Sequence, residues 1–233
     1  MSVFFTRRGG APAAAGKLAS DYAVGESVFL NVNGKETEFL VVQQGKPSSA
    51  IYDSSCDGVW LLMKDVYENR VWDNSYKYYA NSAIHTYLNG TFLALLDPKV
   101  QQNIKQATIR YFPGTYSPYS SDMFAKVFLL DAREIGLRDA DQTYLGENGA
   151  KLAYFNNGTG DAANNKRIAY LNGNASYWWT RSGYTHSGTI GYAWFVRQDG
   201  LVGGFSTSNS FGVRPAFILS PDTKFDPVTN NIL

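Results

Sequence analysis

The side chains able to do chemistry are few: one cysteine, Cys56, and two histidines, His85 and His186. A cysteine and a distant histidine are the minimum for a nucleophile with its base, but nothing around Cys56 supports that pairing. His85 falls within an expected helix, where a structural role is the simpler reading. One cysteine excludes an intrachain disulfide and any multi-cysteine metal site, so neither metal nor cofactor is expected. Paired carboxylates for glycoside hydrolysis need not be adjacent in sequence, and Asp131, Glu134 and Asp199 are the candidates. Each has a simpler role. Asp131 and Glu134 have the spacing of a capping box, and Asp199 with Gly200 makes a turn. Neither a Gly-x-Ser-x-Gly elbow nor a phosphate-binding Gly-rich lysine loop occurs.

The residues suited to binding lie in the last third. Residues 182–192 hold Tyr, Thr, Ser, Gly, His and Ile but no Lys, Glu, Gln, Met or Trp, and residues 201–211 obey the same restriction. Tyrosine gives rigid contact area, while Ser, Gly and Asn give adaptable hydrogen bonds, which is the make-up of an adaptable binding surface. The expected ligand contacts are Tyr184, Thr185, His186, Thr189, Tyr192, Arg197, Ser206, Ser208 and Asn209, forming one exposed patch. An ordinary polar loop is the competing reading. Trp178, Trp179, Arg181, Trp194, Arg214 and Pro215 are assigned to the scaffold, with Trp179, Trp194 and Arg214 expected beneath the patch, because alternate strand residues face inward.

The elements that must position these groups read as α+β. Residues 27–32 and 36–43 are strand-like and flank Asn33-Gly34, a strong hairpin signal. Residues 59–63 read as a short buried strand. Ile84, Leu88, Phe92 and Leu95 give a helical period over residues 81–96, weakened by Gly90. Asp97-Pro98 then caps a second short helix through Ile104. Residues 107–112 and 126–130 read as strands, a helical turn follows Asp131, and residues 140–165 are expected to be irregular. Tyr177–Arg181, residues 192–196, 201–205 and 212–219 are strands joined by turns.

Composition sets the broad class. With 44% hydrophobic and 18% charged residues the chain is globular rather than disordered. A net charge of +1 with scattered Lys and Arg gives no basic face, which argues against nucleic-acid binding. No apolar run predicts membrane insertion or a secretory leader. Residues 1–20, which include Val3-Phe4-Phe5 and a Gly/Ala/Pro stretch, read as an arm for attachment to a larger assembly. Residues 21–222 read as the domain and residues 223–233 as a tail.

Trp178-Trp179-Thr180-Arg181-Ser182, Ala193-Trp194-Phe195-Val196, Gly200, Gly212-Val213-Arg214-Pro215-Ala216-Phe217 and the Asn81–Asn89 segment carry a resemblance. Over roughly residues 21–220 the chain resembles a family of phage and gut-bacterial proteins with a C-type-lectin-like fold of the formylglycine-generating-enzyme type. That group includes variable proteins of diversity-generating retroelements and phage tail receptor-binding proteins. The resemblance implies a non-enzymatic ligand-binding scaffold at a phage tail, or at a bacterial cell surface if chromosomally encoded. Its partners would be a host cell-surface protein or glycan, other virion subunits through the arm, and copies of itself in a homo-oligomer. The enzyme branches of the fold would use a cysteine pair or a histidine cluster, which this chain lacks. Trp72-Asp73-Asn74 has residue types that calcium-dependent lectins use, but with no second ligand motif it reads as a turn. The alternatives are a structural virion or cell-surface subunit, and then a carbohydrate-active enzyme.

Overall fold

The computed structural model describes residues 16–75, 78–111, 121–137, 149–156, 161–184, 191–226, 228–229 and 231–233. The chain enters through β1 (Lys17–Leu18) and then builds a hairpin from β2 (Ser27–Val32) and β3 (Lys35–Gln44). Asn33 and Gly34 join the two at φ 51° and 73°. That left-handed geometry suits Asn and Gly and matches the twist of the strands they connect. Next, β4 (Val59–Met63) is buried at every position, so its sequence shows no alternation. After β5 (Glu68–Val71) comes the helical segment: α1 (Ala83–Tyr87), a π turn at Leu88–Phe92 that contains Gly90, and α2 (Leu93–Leu95). Ser82 caps α1 by accepting from His85 N. Asp97 accepts from Lys99 N at 2.8 Å and opens α3 (Pro98–Asn103) as its sequence predicts.

The remaining elements are β6 (Ala107–Tyr111), β7 (Ser121–Ala125), β8 (Val127–Phe128), α4 (Asp161–Arg167), β9 (Ala169–Leu171) and β10 (Asn174–Ser176). They are followed by β11 (Trp178–Gly183), β12 (Tyr192–Val196), β13 (Val202–Ser206), β14 (Ser210–Val213), β15 (Ala216–Leu219) and β16 (Lys224–Phe225). Two five-stranded sheets dominate, in the orders β2-β3-β4-β15-β8 and β13-β12-β11-β14-β5. All their pairings are antiparallel except β11 with β14. Mostly antiparallel sheets with a few short helices make the α+β class. Among the described residues no helix is long and apolar enough to cross a membrane.

The chain steps directly from one sheet to the other at two places, from β4 to β5 and from β14 to β15. Arg214 sits at that junction, 1% exposed. Its Nε donates to Met63 O and its Nη2 to Lys64 O, both at 2.8 Å. Pro215 interrupts the strand pattern there, so the single run expected over residues 212–219 is two strands in different sheets.

Three other expectations are corrected. The arm and tail boundaries move outward: Lys17–Leu18 pairs with Lys224–Phe225. Phe225 is fully buried against Tyr22 at 5.2 Å, and Ile232 is also buried, because both apolar side chains need cover. Residues 1–15 lie outside the described residues. Of the stretch expected to be irregular, Asp161–Arg167 is helical. Its last residue is tied down by Arg167 Nε to Gly200 O at 2.7 Å and Nη1 to Ile135 O at 3.2 Å. Tertiary anchoring there outweighs local propensity. Finally, Glu68–Val71, not foreseen as a strand, pairs along β14.

Candidate functional site

Of the three carboxylates that could do chemistry, Asp199 is exposed at its turn, and Asp131 and Glu134 are at the centre of the protein. Asp131, Glu134, Arg181 and Ser182 are all fully buried. Arg181 grips Glu134 with Nη1 on Oε2 and Nη2 on Oε1, both at 2.6 Å, while Tyr52 Oη donates to Glu134 Oε1 at 2.9 Å. Ser182 Oγ donates to Asp131 Oδ2, and Ala132 N donates to Ser182 Oγ. Asp131 N donates to Glu134 Oε2, and Arg133 N donates to Asp131 Oδ1. This is the reciprocal capping expected from the spacing, closing a turn rather than a full helix. Arg181 also holds Leu129 O and Arg110 O. Asp131 and Glu134 are both committed to a brace away from solvent, and such a network fixes the core.

The lone cysteine and the described histidine also sit in protein rather than in a cleft. Burial pushes the Cys56 thiol up to about 11, which suppresses its thiolate, and Sγ donates to Thr108 O at 3.3 Å. Burial lowers His85 to about 4, and its Nδ1 lies 3.2 Å from Asn89 Nδ2. Asp73 accepts from Ser75 N at 2.6 Å and Ala83 N at 2.9 Å, so Trp72-Asp73-Asn74 is a turn, with the Trp72 indole donating to Thr180 O.

The expected contact residues come together in part. Tyr192 opposes Ser206 across β12 and β13. Tyr184 N donates to Tyr192 O, and the two rings stand 6.4 Å apart. Ser206 and Ser208 hydroxyls are 3.0 Å apart, and Asn209 Nδ2 donates to Ser206 O at 3.2 Å. Tyr192 and Ser208 are exposed; Tyr184, Ser206 and Asn209 are half-buried. The turn carrying these groups is fixed from behind: Trp72 N and Asp73 N both donate to Thr207 O, and Thr207 N donates to Gly191 O. Arg197 is not part of this cluster. It lies past the other end of β12 and pairs with Asp199 at 3.1 Å. Thr185, His186 and Thr189 lie outside the described residues.

Of the three side chains expected beneath the patch, Trp194 alone is there. Its ring meets Tyr184 edge-on at 4.7 Å and packs with Ala132, Leu137 and Val202. The Trp194 indole N–H is buried and has no hydrogen-bond partner among the described residues. Tyr184 can lie across β13 because Gly204 has no side chain: a Cβ there would stand 2.5 Å from Tyr184 Cγ. Trp179 faces the opposite side of the sheet, since it opposes Phe195, one residue out of phase with Trp194. Arg214 is at the inter-sheet junction.

That opposite face carries an aromatic row that was not picked out from the sequence. Phe211 stacks on Trp179 at 4.7 Å, Phe195 at 4.9 Å, Tyr177 at 5.2 Å and Phe205 at 5.5 Å. Phe205 is 44% and Tyr177 38% exposed. The signal was available in the alternation Tyr177, Trp179 and in Phe195 opposing Gly203 beside Phe205, but sequence alone does not tell which face is covered.

Fold and surface together define an α+β protein with a hydrogen-bonded, braced interior and a sheet end rich in tyrosine and small hydroxyls. The chain belongs to the family described as Domain of unknown function (DUF6273), whose model matches residues 57–221. The match takes in β4 through β15 and therefore the whole candidate surface. No curated protein and no solved structure matches the chain.

Proposed function

We propose that the chain is a non-enzymatic binding module that recognises its ligand through Tyr184, Tyr192, Ser206, Ser208 and Asn209. The observation that carries this reading is their gathering at one end of β12 and β13, on backbone fixed independently by Trp72, Asp73 and Gly191. Aromatic rings there supply contact area and the hydroxyls and amide supply directional bonds. The resemblance of its C-terminal motifs extends the proposal to a C-type-lectin-like fold and to host recognition at a phage tail. The residue set of 182–192 and 201–211 is one that adenine-targeted mutation of Asn or Tyr codons can yield, which extends the proposal to retroelement diversification. The rival reading, a structural assembly subunit, draws on the exposed Phe205 and Tyr177 of the other face.

Adsorption of the labelled chain to a panel of gut-bacterial strains tests the proposal. The variant Tyr192→Ala/Ser208→Ala/Asn209→Ala should keep its thermal stability and lose adsorption to a strain that the unaltered chain binds. Equal adsorption by both chains, or adsorption by neither to any strain, refutes the assignment.

A further inference from the structure

A second concave site lies away from the candidate surface, and nothing in the motifs of the last third points to it. It is a groove of about 660 Å³ between two hairpin ends. One wall is the β2–β3 hairpin with Asn33, Lys35, Glu36 and Glu38; the other is the β9–β10 hairpin with Tyr170 and Asn172. The floor is the crossover from β4 to β5, residues 63–67.

The groove is preformed. Both walls are crowned by Asn-Gly turns in left-handed geometry, Asn33-Gly34 at φ 51° and 73° and Asn172-Gly173 at φ 52° and 80°. Such turns hold a hairpin in one register. The second hairpin is fixed to the floor: Tyr170 N donates to Asp65 Oδ1 at 3.0 Å, and Val66 N donates to Tyr170 O at 2.9 Å. The first is fixed by Lys64 Nζ on Glu38 Oε2 at 2.8 Å and Lys64 N on Glu38 O. Beneath, Arg214 holds the Met63 and Lys64 carbonyls. A ligand would meet these groups already in place and would not have to order them.

The chemistry of the lining selects the ligand class. Most small-molecule pockets are predominantly apolar, with a few polar groups. Here carboxylates, ammoniums and amides share the lining with the exposed Tyr170 ring and the half-buried Tyr67 and Leu171. The lining carries Lys35 and Lys64 against Glu36, Glu38 and Asp65, two cations to three carboxylates. A polyanion would be repelled, and a polycation would be drawn by a single net charge only. Among the described residues no three His, Cys, Asp or Glu are grouped to hold a metal ion. A ligand with many neutral hydroxyls fits best. Its hydroxyls donate to the carboxylates and accept from the ammoniums and amides, and its C–H face lies on the Tyr170 ring. We infer that the groove between the β2–β3 and β9–β10 hairpins binds a short neutral oligosaccharide, at a site separate from the tyrosine surface on β12 and β13.

The test is calorimetric or NMR titration of the full chain with malto-, cello-, chito- and manno-oligosaccharides, beside heparin-derived and sialylated ones. At least one neutral oligosaccharide should bind at millimolar concentrations or below. Tyr170→Ala should weaken it about tenfold, ~1.4 kcal/mol, and Glu36→Gln should weaken it too, while Tyr192→Ala leaves it unchanged. Glu36 is exposed, so that variant keeps the test valid even if Tyr170→Ala fails to fold. Failure of every neutral oligosaccharide to bind, preference for an anionic one, or affinity unmoved by both groove variants overturns the inference. Loss through Tyr192→Ala alone would place saccharide binding on the other surface and overturn it equally.

Discussion

Replacing Gly204 with alanine adds one methyl group beneath the Tyr184 ring. That Cβ would stand 2.5 Å from Tyr184 Cγ and 2.7 Å from Cε2. Carbon atoms settle at about 3.5 Å, so the ring must retreat by about 1 Å. Gly204 does not have a left-handed φ, so alanine fits its backbone without strain. The ring's retreat disturbs an edge-on contact with Trp194 at 4.7 Å, a geometry worth about 0.5–1.5 kcal/mol. Against this, alanine in a strand interior recovers about 0.5–1 kcal/mol relative to glycine. Net stability should change by less than about 1 kcal/mol, a melting shift of a few degrees at most. What should change is access to Trp194. The other four tryptophans, Trp60, Trp72, Trp178 and Trp179, are buried in the core, so an added acrylamide-quenchable fraction reports Trp194. Gly203→Ala is the control one residue away. Its Cβ faces Phe195 Cε1 on the other side of the sheet at 3.3 Å and needs only a small adjustment. Quenching should rise in Gly204→Ala, stay put in Gly203→Ala, and vanish from the difference when Trp194→Phe is added. Identical quenching in both glycine variants would refute the placement of Tyr184 over β13, and a loss beyond about 3 kcal/mol would refute its independence from the fold.

Arg181→Met leaves the Glu134 carboxylate buried without its cation and strands two carbonyls. Urea titration should show a loss of about 3–5 kcal/mol, and a loss below about 1 kcal/mol would contradict the bracing role. His85 is held low in the folded chain by burial, to about 4 against an ordinary 6.5. A depressed histidine means that the unfolded chain takes up the proton first, so its contribution to stability is intact above about 6.5 and is lost as pH falls towards 4. His85→Gln should therefore flatten the stability profile between those pH values; an unchanged slope there would exclude His85 as its source.

Where the sequence was legible, the determinants were local. Asn33-Gly34, Asp97-Pro98 and the Asp131/Glu134 pair carry their own geometry within a few residues, and all three act as their spacing predicts. The continuous apolar run of β4 likewise reports its burial. What escaped was set by residues distant in sequence. Residues 161–167 are helical with their C-terminal end anchored by Arg167 to Gly200 and Ile135. Trp179 and Trp194 both read as scaffold tryptophans, and only the register of β11 against β12 puts them on opposite faces. The groove between the β2–β3 and β9–β10 hairpins joins segments over a hundred residues apart, and no period or motif records their meeting.

The same distinction explains how one sheet can combine a buried brace with side chains that are free to be substituted. β11 is buried at all six positions and carries Arg181 and Ser182 into the interior brace. Two strands away, β13 has no fully buried position, and its exposed or half-buried side chains are Val202, Phe205 and Ser206. The turn beyond β13 is held through backbone groups, Thr207 O by two N–H donors and Thr207 N by Gly191 O. Backbone contacts are indifferent to which side chains stand at 206, 208 and 209. Burial, and with it the energetic cost of substitution, thus falls across the sheet from β11 to β13. A recognition surface placed at the low end of that gradient can change its side chains while the brace that defines the fold stays untouched.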